Sequence, residues 1–159
     1  MGERVCIPQE EYGKRLLRAQ ELLGKTDLDV LLVNSNEADF ANVRYFSDYW
    51  PIFEIAGVVI PREGKPTLIC GPESEEFAKD RSVIPRVRKM KEYRESADPA
   101  YPGVSVSTFK DVFAEVGVTN PRKIGIDIIR TCRQQESKDE YTYNNHEWDP
   151  PLPEHFPLR

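Results

Sequence analysis

An arginine and several aromatic side chains lie close together in the segment 44–50, RYFSDYW, and are the residues of this sequence best suited to binding. An arginine guanidinium binds a carboxylate through two parallel hydrogen bonds, and aromatic rings beside an arginine are typical of interfaces and ligand-binding walls. The candidates for a substrate-pocket wall or an interface are Arg44, Tyr45, Tyr49 and Trp50. Arg44 could instead form a surface salt bridge with Asp48 or Glu54, and the sequence leaves both possibilities open.

The aromatic residues of this segment divide by their expected burial. Packing in the core is the simpler interpretation of Tyr45 and Phe46, because aromatic side chains contribute much of a hydrophobic core. Tyr49 and Trp50 directly precede Pro51, which ends any helix, and we expect both on an exposed loop. An exposed loop carrying two aromatic rings suits a binding role.

No residue stands out as a catalyst or as a metal ligand. The chain has two histidines, His146 and His155, and both lie in a proline-rich segment that is a poor frame for a metal site. Glu37 and Asp39 are interpreted as capping groups at a helix start rather than as acid or base catalysts. The cysteines are too far apart for a metal-binding pair; they are Cys6, Cys70 and Cys132. We predict no catalytic residue, no metal ligand and no cofactor in this chain.

The elements that would position the candidate site begin with the apolar run 30–33, VLLV, which predicts a buried strand. Polar residues at 34–36 break this run and are typical of turns and helix starts. We expect a short helix over 37–43, followed by the arginine and the aromatic residues. In open α/β sheets, ligands bind at the carboxyl ends of strands, which is where this pattern places the candidates.

The rest of the chain alternates helical and strand patterns. A helix is predicted from Pro8 to Gly24, and a β-hairpin is predicted over 55–70, which implies a mixed sheet rather than a purely parallel one. Further elements are expected as an acidic helix over 73–80, a strand over 83–87, a helix after Thr108 whose capping box includes Asp111, and a strand over 123–127. Cys70 falls in the hairpin and is expected to be a buried small hydrophobe.

Composition limits the possible partners and the location of the chain. The chain has 159 residues and a formal net charge of −5, so we expect no nucleic-acid partner. No apolar run approaches the roughly 20 residues of a membrane span, and the N-terminus lacks the pattern of a signal peptide. We therefore expect a reduced, cytoplasmic protein without a membrane partner. Residues 1–127 form the predicted domain, and 128–159 a polar, proline-rich tail or linker.

The order of these motifs resembles the N-terminal domain of the creatinase, prolidase and aminopeptidase P family, whose catalytic domain has the pita-bread fold. The resemblance covers residues 10 to about 127, where the motifs together are more specific than any one alone. The matching pieces are Arg15-Leu16, Leu22-Leu23, the strand 29–33, the signature 42–47 (NVRYFS), the hairpin 55–70 and the strand 123–127. Family patterns continue the signature with Gly, where this chain has Asp48; Asp also tolerates a left-handed backbone.

The resemblance implies an α/β fold, with a mixed β-sheet, helices on both faces and a ribonuclease H-like motif. It implies a non-catalytic half of a metal-dependent, Xaa-Pro peptidase-like hydrolase, either cut from a longer protein or free-standing. A divalent metal pair (Mn, Co or Zn) is then expected only in a separate C-terminal catalytic domain. The implied partners are that domain and a second copy in a homodimer. By position, the pocket-wall role falls to Arg44, Tyr45, Tyr49 and Trp50.

Two other functions remain open from the sequence. A stand-alone protein-interaction module would use the tail to dock a partner. A small flavodoxin-like ligand-binding protein would use the end of the strand 30–33, although no phosphate-binding glycine loop supports it. Either would be a protein without a missing catalytic half.

Overall fold

The structure is a computed structural model that describes residues 7–94 and 105–127. Four α-helices and five β-strands are present in this part of the chain. The helices are α1 (Gln9–Gly24), α2 (Ala41–Ser47), α3 (Glu75–Arg81) and α4 (Phe109–Glu115). The strands are β1 (Val30–Ser35), β2 (Ala56–Pro61), β3 (Thr67–Cys70), β4 (Val87–Lys89) and β5 (Ile124–Ile126). Short 3₁₀ turns at Pro72–Ser74 and Lys91–Tyr93 complete the described elements.

The five strands form one mixed sheet in the order β4-β3-β2-β1-β5. Strand β2 is antiparallel to both β1 and β3, with Val59 opposite Leu32 on one side and opposite Thr67 on the other. The outer strands β4 and β5 are parallel to their neighbours. The predicted hairpin and mixed sheet are therefore confirmed. A sheet with antiparallel central strands differs from the parallel sheet of flavodoxin-like folds, so that interpretation of the fold is wrong.

Helices cover both faces of the sheet, as the fold prediction required. Because side chains alternate across a strand, Val58 packs toward α1, α2 and α3, whereas Val59 packs toward α4. Val43 of α2 joins the first core, and Val112 of α4 joins the second. Each helix thus buries one apolar stripe on the sheet. None of the described helices has the length and apolar character needed to cross a membrane.

Helix α2 begins four residues later than predicted. The amide groups of Ala38 and Asp39 donate to the side-chain oxygen of Asn36, over 3.0 and 2.7 Å, and form a turn there. Since the local hydrogen bonds to Asn36 compete with helix formation, Glu37 and Asp39 precede the helix and do not cap it. The interpretation of these two acidic residues as helix caps is wrong. The helix instead contains the arginine of the candidate site.

Other element boundaries agree more closely with the sequence. Helix α1 ends at Gly24, and α4 has the predicted capping box between Thr108 and Asp111. Gly117 follows α4 with φ +84°, the left-handed backbone that favours glycine. The strand expected over 83–87 is shifted to β4, because Pro85 lacks the N–H group that a strand ladder needs. The boundary at residue 127 stays a prediction, because the tail 128–159 lies outside the described residues.

Candidate functional site

Two serine hydroxyls hold helix α2, which carries Arg44 and Tyr45, at the end of β1. The Ser35 hydroxyl accepts a hydrogen bond of 3.0 Å from the main-chain N–H of Val43, near the start of the helix. The buried Ser47 hydroxyl donates to the Val43 carbonyl and accepts from the N–H of Tyr49. Both ends of the short helix are therefore tied to buried polar groups, which is how a helix of this length can keep its position.

The chain leaves α2 through a left-handed residue. Asp48 has φ 58° and ψ 0°, and its N–H donates to the Arg44 carbonyl over 3.0 Å. This confirms that Asp48 adopts the conformation that suits glycine at this point of the family pattern. The turn directs the next residue, Tyr49, into the protein.

Tyr49 is completely buried, so the expectation that it lies on an exposed loop is wrong. Its ring packs at 5.7 Å from the Phe77 ring of α3, and its N–H is held by the Ser47 hydroxyl. Cys70 is also buried, as predicted. Tyr49 cannot touch a ligand on the surface unless the chain rearranges. Its ring and the neighbouring Trp50 ring both contact the Phe77 ring.

Arg44 and Trp50 form an arginine–aromatic surface together with Phe40. The Arg44 guanidinium lies 5.0 Å from the centre of the Trp50 ring and 5.9 Å from the centre of the Phe40 ring. Its side chain is 50% exposed, and its ion pair with Asp48 is long, at 3.8 Å. Such an exposed, long pair contributes little, so the stacked guanidinium keeps hydrogen-bonding capacity toward solvent. The structure brings together two of the four predicted residues here, and a cation–π contact of this kind orients the arginine.

Tyr45 packs against Arg15 of α1. The Arg15 guanidinium lies 4.4 Å from the Tyr45 ring centre and 5.1 Å from that of Tyr12, and it donates to the Tyr45 carbonyl over 2.9 Å. Tyr45 is 44% exposed, so its assignment to the core is wrong, whereas Phe46 is partly buried against the core. Sequence reasoning missed Arg15 as a contact residue. Its spacing of three from Tyr12 on a helix was the available signal.

A shallow cleft of about 510 Å³ lies beside Tyr45, between α2 and β5. At its rim, the Asn42 side-chain amide donates to the Asp127 carboxylate. The lining is mostly apolar and consists of Leu28, Leu31, Val33, Asn42, Tyr45, Phe46, Gly125, Ile126 and Asp127. A larger cleft of about 580 Å³ lies beyond α1 and includes Tyr12 but none of the predicted site residues.

Glu54 is a buried carboxyl group that the sequence did not single out. Its side chain is 2% exposed, so it cannot serve as the salt-bridge partner considered for Arg44. Neither of its carboxyl oxygens makes a hydrogen bond of good geometry within the described residues. The carboxyl group lies against Gly71, where an added Cβ would come within 1.8 Å of Oε1. Glycine at this position therefore makes the space that the acid occupies.

Burial keeps Glu54 protonated over a wide pH range. Removal from water and, to a smaller extent, the neighbouring carboxyl group of Glu73 raise its pKa to about 7, while the Ser74 hydroxyl acts in the opposite direction. Burial also raises the pKa of the Tyr49 hydroxyl and of the Cys70 thiol to about 12 each. Near neutral pH, Glu54 is thus the group of this cluster that can change charge.

The described residues do not fit a metal centre. No group of three or more His, Cys, Asp or Glu side chains lies close enough together to hold an ion in residues 7–94 and 105–127. The acids near Glu54 have other roles: Glu75 is paired with Lys89 over 2.7 Å and with Lys79 over 2.9 Å. Those two pairs lower the pKa of Glu75, Lys89 being the larger cause.

Solved structures with a similar fold come from prolidases and aminopeptidases P. Aminopeptidase P from Streptococcus thermophilus matches with 24% identity over 72% of this chain and 73% of that chain, at a TM-score of 0.46. The N-terminal domain of a putative metallopeptidase from Corynebacterium diphtheriae matches with 10% identity over 76% of this chain and 98% of that one, at 0.45. Prolidase from Pyrococcus horikoshii matches with 22% identity over 73% of this chain, at 0.43, and this chain spans 32% of its length.

The sequence itself matches one family. A comparison with curated proteins found no match. The family model of the Creatinase/Prolidase N-terminal domain matches residues 15–135, which is most of the chain. Because the structural similarity scores are below 0.5, the assignment rests on this sequence match. The chain belongs to the Creatinase/Prolidase N-terminal domain family.

Proposed function

We propose that this chain is the non-catalytic N-terminal domain of a metal-dependent, Xaa-Pro peptidase-like hydrolase, and that it contributes to dimerisation and to the wall of a substrate pocket. The proposed partners are a second copy and a C-terminal catalytic domain, in the cytoplasm. The metal pair would belong to that catalytic domain. Membership of the family supports the domain role, and the arginine–aromatic surface supports the binding role.

The observation that carries the binding role is the stacked and half-exposed Arg44. Its guanidinium lies near the Trp50 and Phe40 rings, which limits its motion, and its long pair with Asp48 leaves donors available. A preorganised guanidinium recognises a carboxylate through two parallel hydrogen bonds, either the carboxylate of a substrate or that of an opposing subunit. Arg and Trp are also the residue types that contribute most to protein interfaces.

Sedimentation velocity of the 159-residue chain tests the dimer. We expect reversible dimerisation, and we expect Trp50→Ala to weaken it at least about tenfold, as for an interface hot spot. Arg18→Ala is the matched control, because Arg18 is 64% exposed on α1 and pairs only weakly, at 3.9 Å, with Glu11. Circular dichroism verifies that each variant is folded. A wild-type chain that stays monomeric at high concentration would contradict the dimer.

Two further measurements test the pocket wall and the lack of catalysis. Titration with an Xaa-Pro dipeptide, followed by NMR, should perturb the Nε–H signals of Arg44 and Trp50. Arg44→Lys should remove the effect, because lysine keeps the charge but not the two-pronged geometry. The chain supplied with manganese and Xaa-Pro dipeptides should show no hydrolysis. Turnover by the purified chain would refute the non-catalytic role.

A further inference from the structure

We propose that the Glu54 carboxyl group is a proton-operated latch, which holds the segment 50–55 in place while it is protonated and releases it when it ionises. This inference rests on the proposed function, since the segment carries Trp50 of the arginine–aromatic surface. The latch would make that surface dependent on pH. Its elements are a buried acid, a close contact with Gly71 and an irregular chain segment.

The segment 50–55 connects α2 to β2 without regular secondary structure. Its buried side chains are Pro51 and Glu54, whereas Ile52 and Phe53 are 53% and 43% exposed. Trp50 is anchored at its edge by a ring contact of 6.0 Å with Phe77. A segment with so few buried side chains depends strongly on each of them, and Glu54 is the one that can change its charge near neutral pH.

The space around Glu54 admits a neutral acid better than an anion. The contact with Gly71 leaves no room for a water molecule on that side, and neither carboxyl oxygen has a hydrogen bond of good geometry within the described chain. The Ser74 hydroxyl and the Glu73 main chain favour the anion, but burial disfavours it more strongly, so an anion in this place is costly. The exposed Glu73, just after the Gly71-Pro72 bend, adds repulsion once Glu54 ionises, because both would then be negative.

Other titratable groups packed against Glu54 do not counter this repulsion. They are Tyr49 just before the segment, Cys70 from β3 and Glu73 from the 3₁₀ turn; Glu75 of α3, which is near Cys70, is paired with Lys79 and Lys89. Tyr49 and Cys70 are neutral in the same pH range, since burial raises the pKa of each to about 12. The cations are held by Glu75, over 2.9 and 2.7 Å. The ionised carboxylate therefore gains most by turning toward water, which moves the segment and Trp50 with it.

Trp50 fluorescence in the full chain provides a direct test. The chain has two tryptophans, so Trp148→Phe leaves Trp50 as the only indole. We expect its emission to change with a midpoint near pH 7, and we expect Glu54→Gln to abolish the change and keep the low-pH spectrum. Glu73→Gln should retain the change but move the midpoint to lower pH, because a repelling charge is removed. Glu63→Gln, an exposed site in the β2–β3 turn, is the control and should leave the midpoint unchanged.

The possible outcomes separate the latch from the proposed interface. A transition that persists in Glu54→Gln, or its complete absence in the parent chain, would overturn the latch, whatever the oligomeric state. The Glu73→Gln midpoint gives an independent answer if Glu54→Gln does not fold. Sedimentation at pH below and above the midpoint then tests the interface. If dimerisation weakens as Glu54 ionises, the result supports both the latch and the interface at Trp50. If the fluorescence transition is clear but dimerisation does not change, the result supports the latch and argues against an interface at Trp50.

Discussion

Replacement of Glu54 by glutamine should remove a large pH dependence from the stability of this protein. Glutamine has nearly the same shape as protonated glutamic acid and carries no charge at any pH. In the folded chain the Glu54 pKa is about 7, against an ordinary value of 4.5. The folded state therefore keeps a proton that the unfolded chain has already released between these two pH values.

The sign and size of the effect follow from this difference. Where the folded state binds more protons than the unfolded state, the free energy of unfolding falls as pH rises. One pKa unit corresponds to about 1.4 kcal/mol, so the wild type should lose about 3 kcal/mol between pH 4.5 and pH 7 from this group alone. The full contribution is present below pH 4.5, and the loss is complete above pH 7. Glu54→Gln should not show this loss.

Urea denaturation of the wild type and of Glu54→Gln at several pH values up to about 8 measures the effect. The difference between their free energies of unfolding removes the contribution of every group that titrates equally in both proteins. The upper limit matters, since Cys70 is buried and would add its own loss as the unfolded thiol ionises near its ordinary pKa of 9. Glu63→Gln, at an exposed glutamate, is the control and should follow the wild type within about 0.5 kcal/mol. Parallel stability curves for wild type and Glu54→Gln would refute the assignment of a neutral, buried acid.

Three further predictions concern stability measured by urea denaturation near pH 6. Gly71→Ala should lower the free energy of unfolding by about 2 kcal/mol, because its Cβ would displace the Glu54 carboxyl group. The loss should be smaller in a protein that also carries Glu54→Ala. Equal losses in both proteins would contradict the contact between Gly71 and Glu54. Asp48→Ala should lower the free energy of unfolding by about 1 kcal/mol, because φ is 58° at this position and alanine tolerates a left-handed backbone poorly. Asp48→Gly should lower it clearly less. Similar losses for both variants would argue against backbone strain. Thr108→Ala should cost about 1 kcal/mol through loss of the capping box, and no change would show that the α4 cap is not stabilising.

Much of the fold could be predicted because its signals are local. The hairpin 55–70 was marked by two apolar runs around a Gly-containing turn, and the capping box of Thr108 by two residues three apart. The apolar run of β1 predicted a buried strand, and its side chains do pack into both cores. The start of α2 was misplaced because Asn36 can begin either a helix or a turn, and only tertiary contacts decide between them.

The candidate site was predicted less well because burial depends on contacts that are distant in sequence. Tyr49 packs against Phe77, which is 28 residues later, and Tyr45, which is 44% exposed, packs against Arg15 of α1 outside the core. The cluster around Glu54 forms only when β3 ends beside the segment 50–55. Local pattern could place Arg44 and Trp50 near each other but could not say which aromatic side chain faces solvent.

The segment 50–55 has an inverted polarity that stability alone does not explain. Ile52 and Phe53 are exposed, whereas the carboxyl group of Glu54 is buried against a glycine that leaves room for nothing larger. Turning one residue outward would bury apolar surface and hydrate the acid, so a sequence under selection for stability alone would be expected to reverse this order. The inversion gives the chain two properties together: an apolar surface beside Trp50 that a partner can cover, and a buried group that responds to pH.

If a partner covers Ile52 and Phe53, their replacement by serine should weaken dimerisation and leave the pH midpoint of Trp50 fluorescence unchanged. Weakened association and a shifted midpoint together would mean that the surface and the acid are not separable.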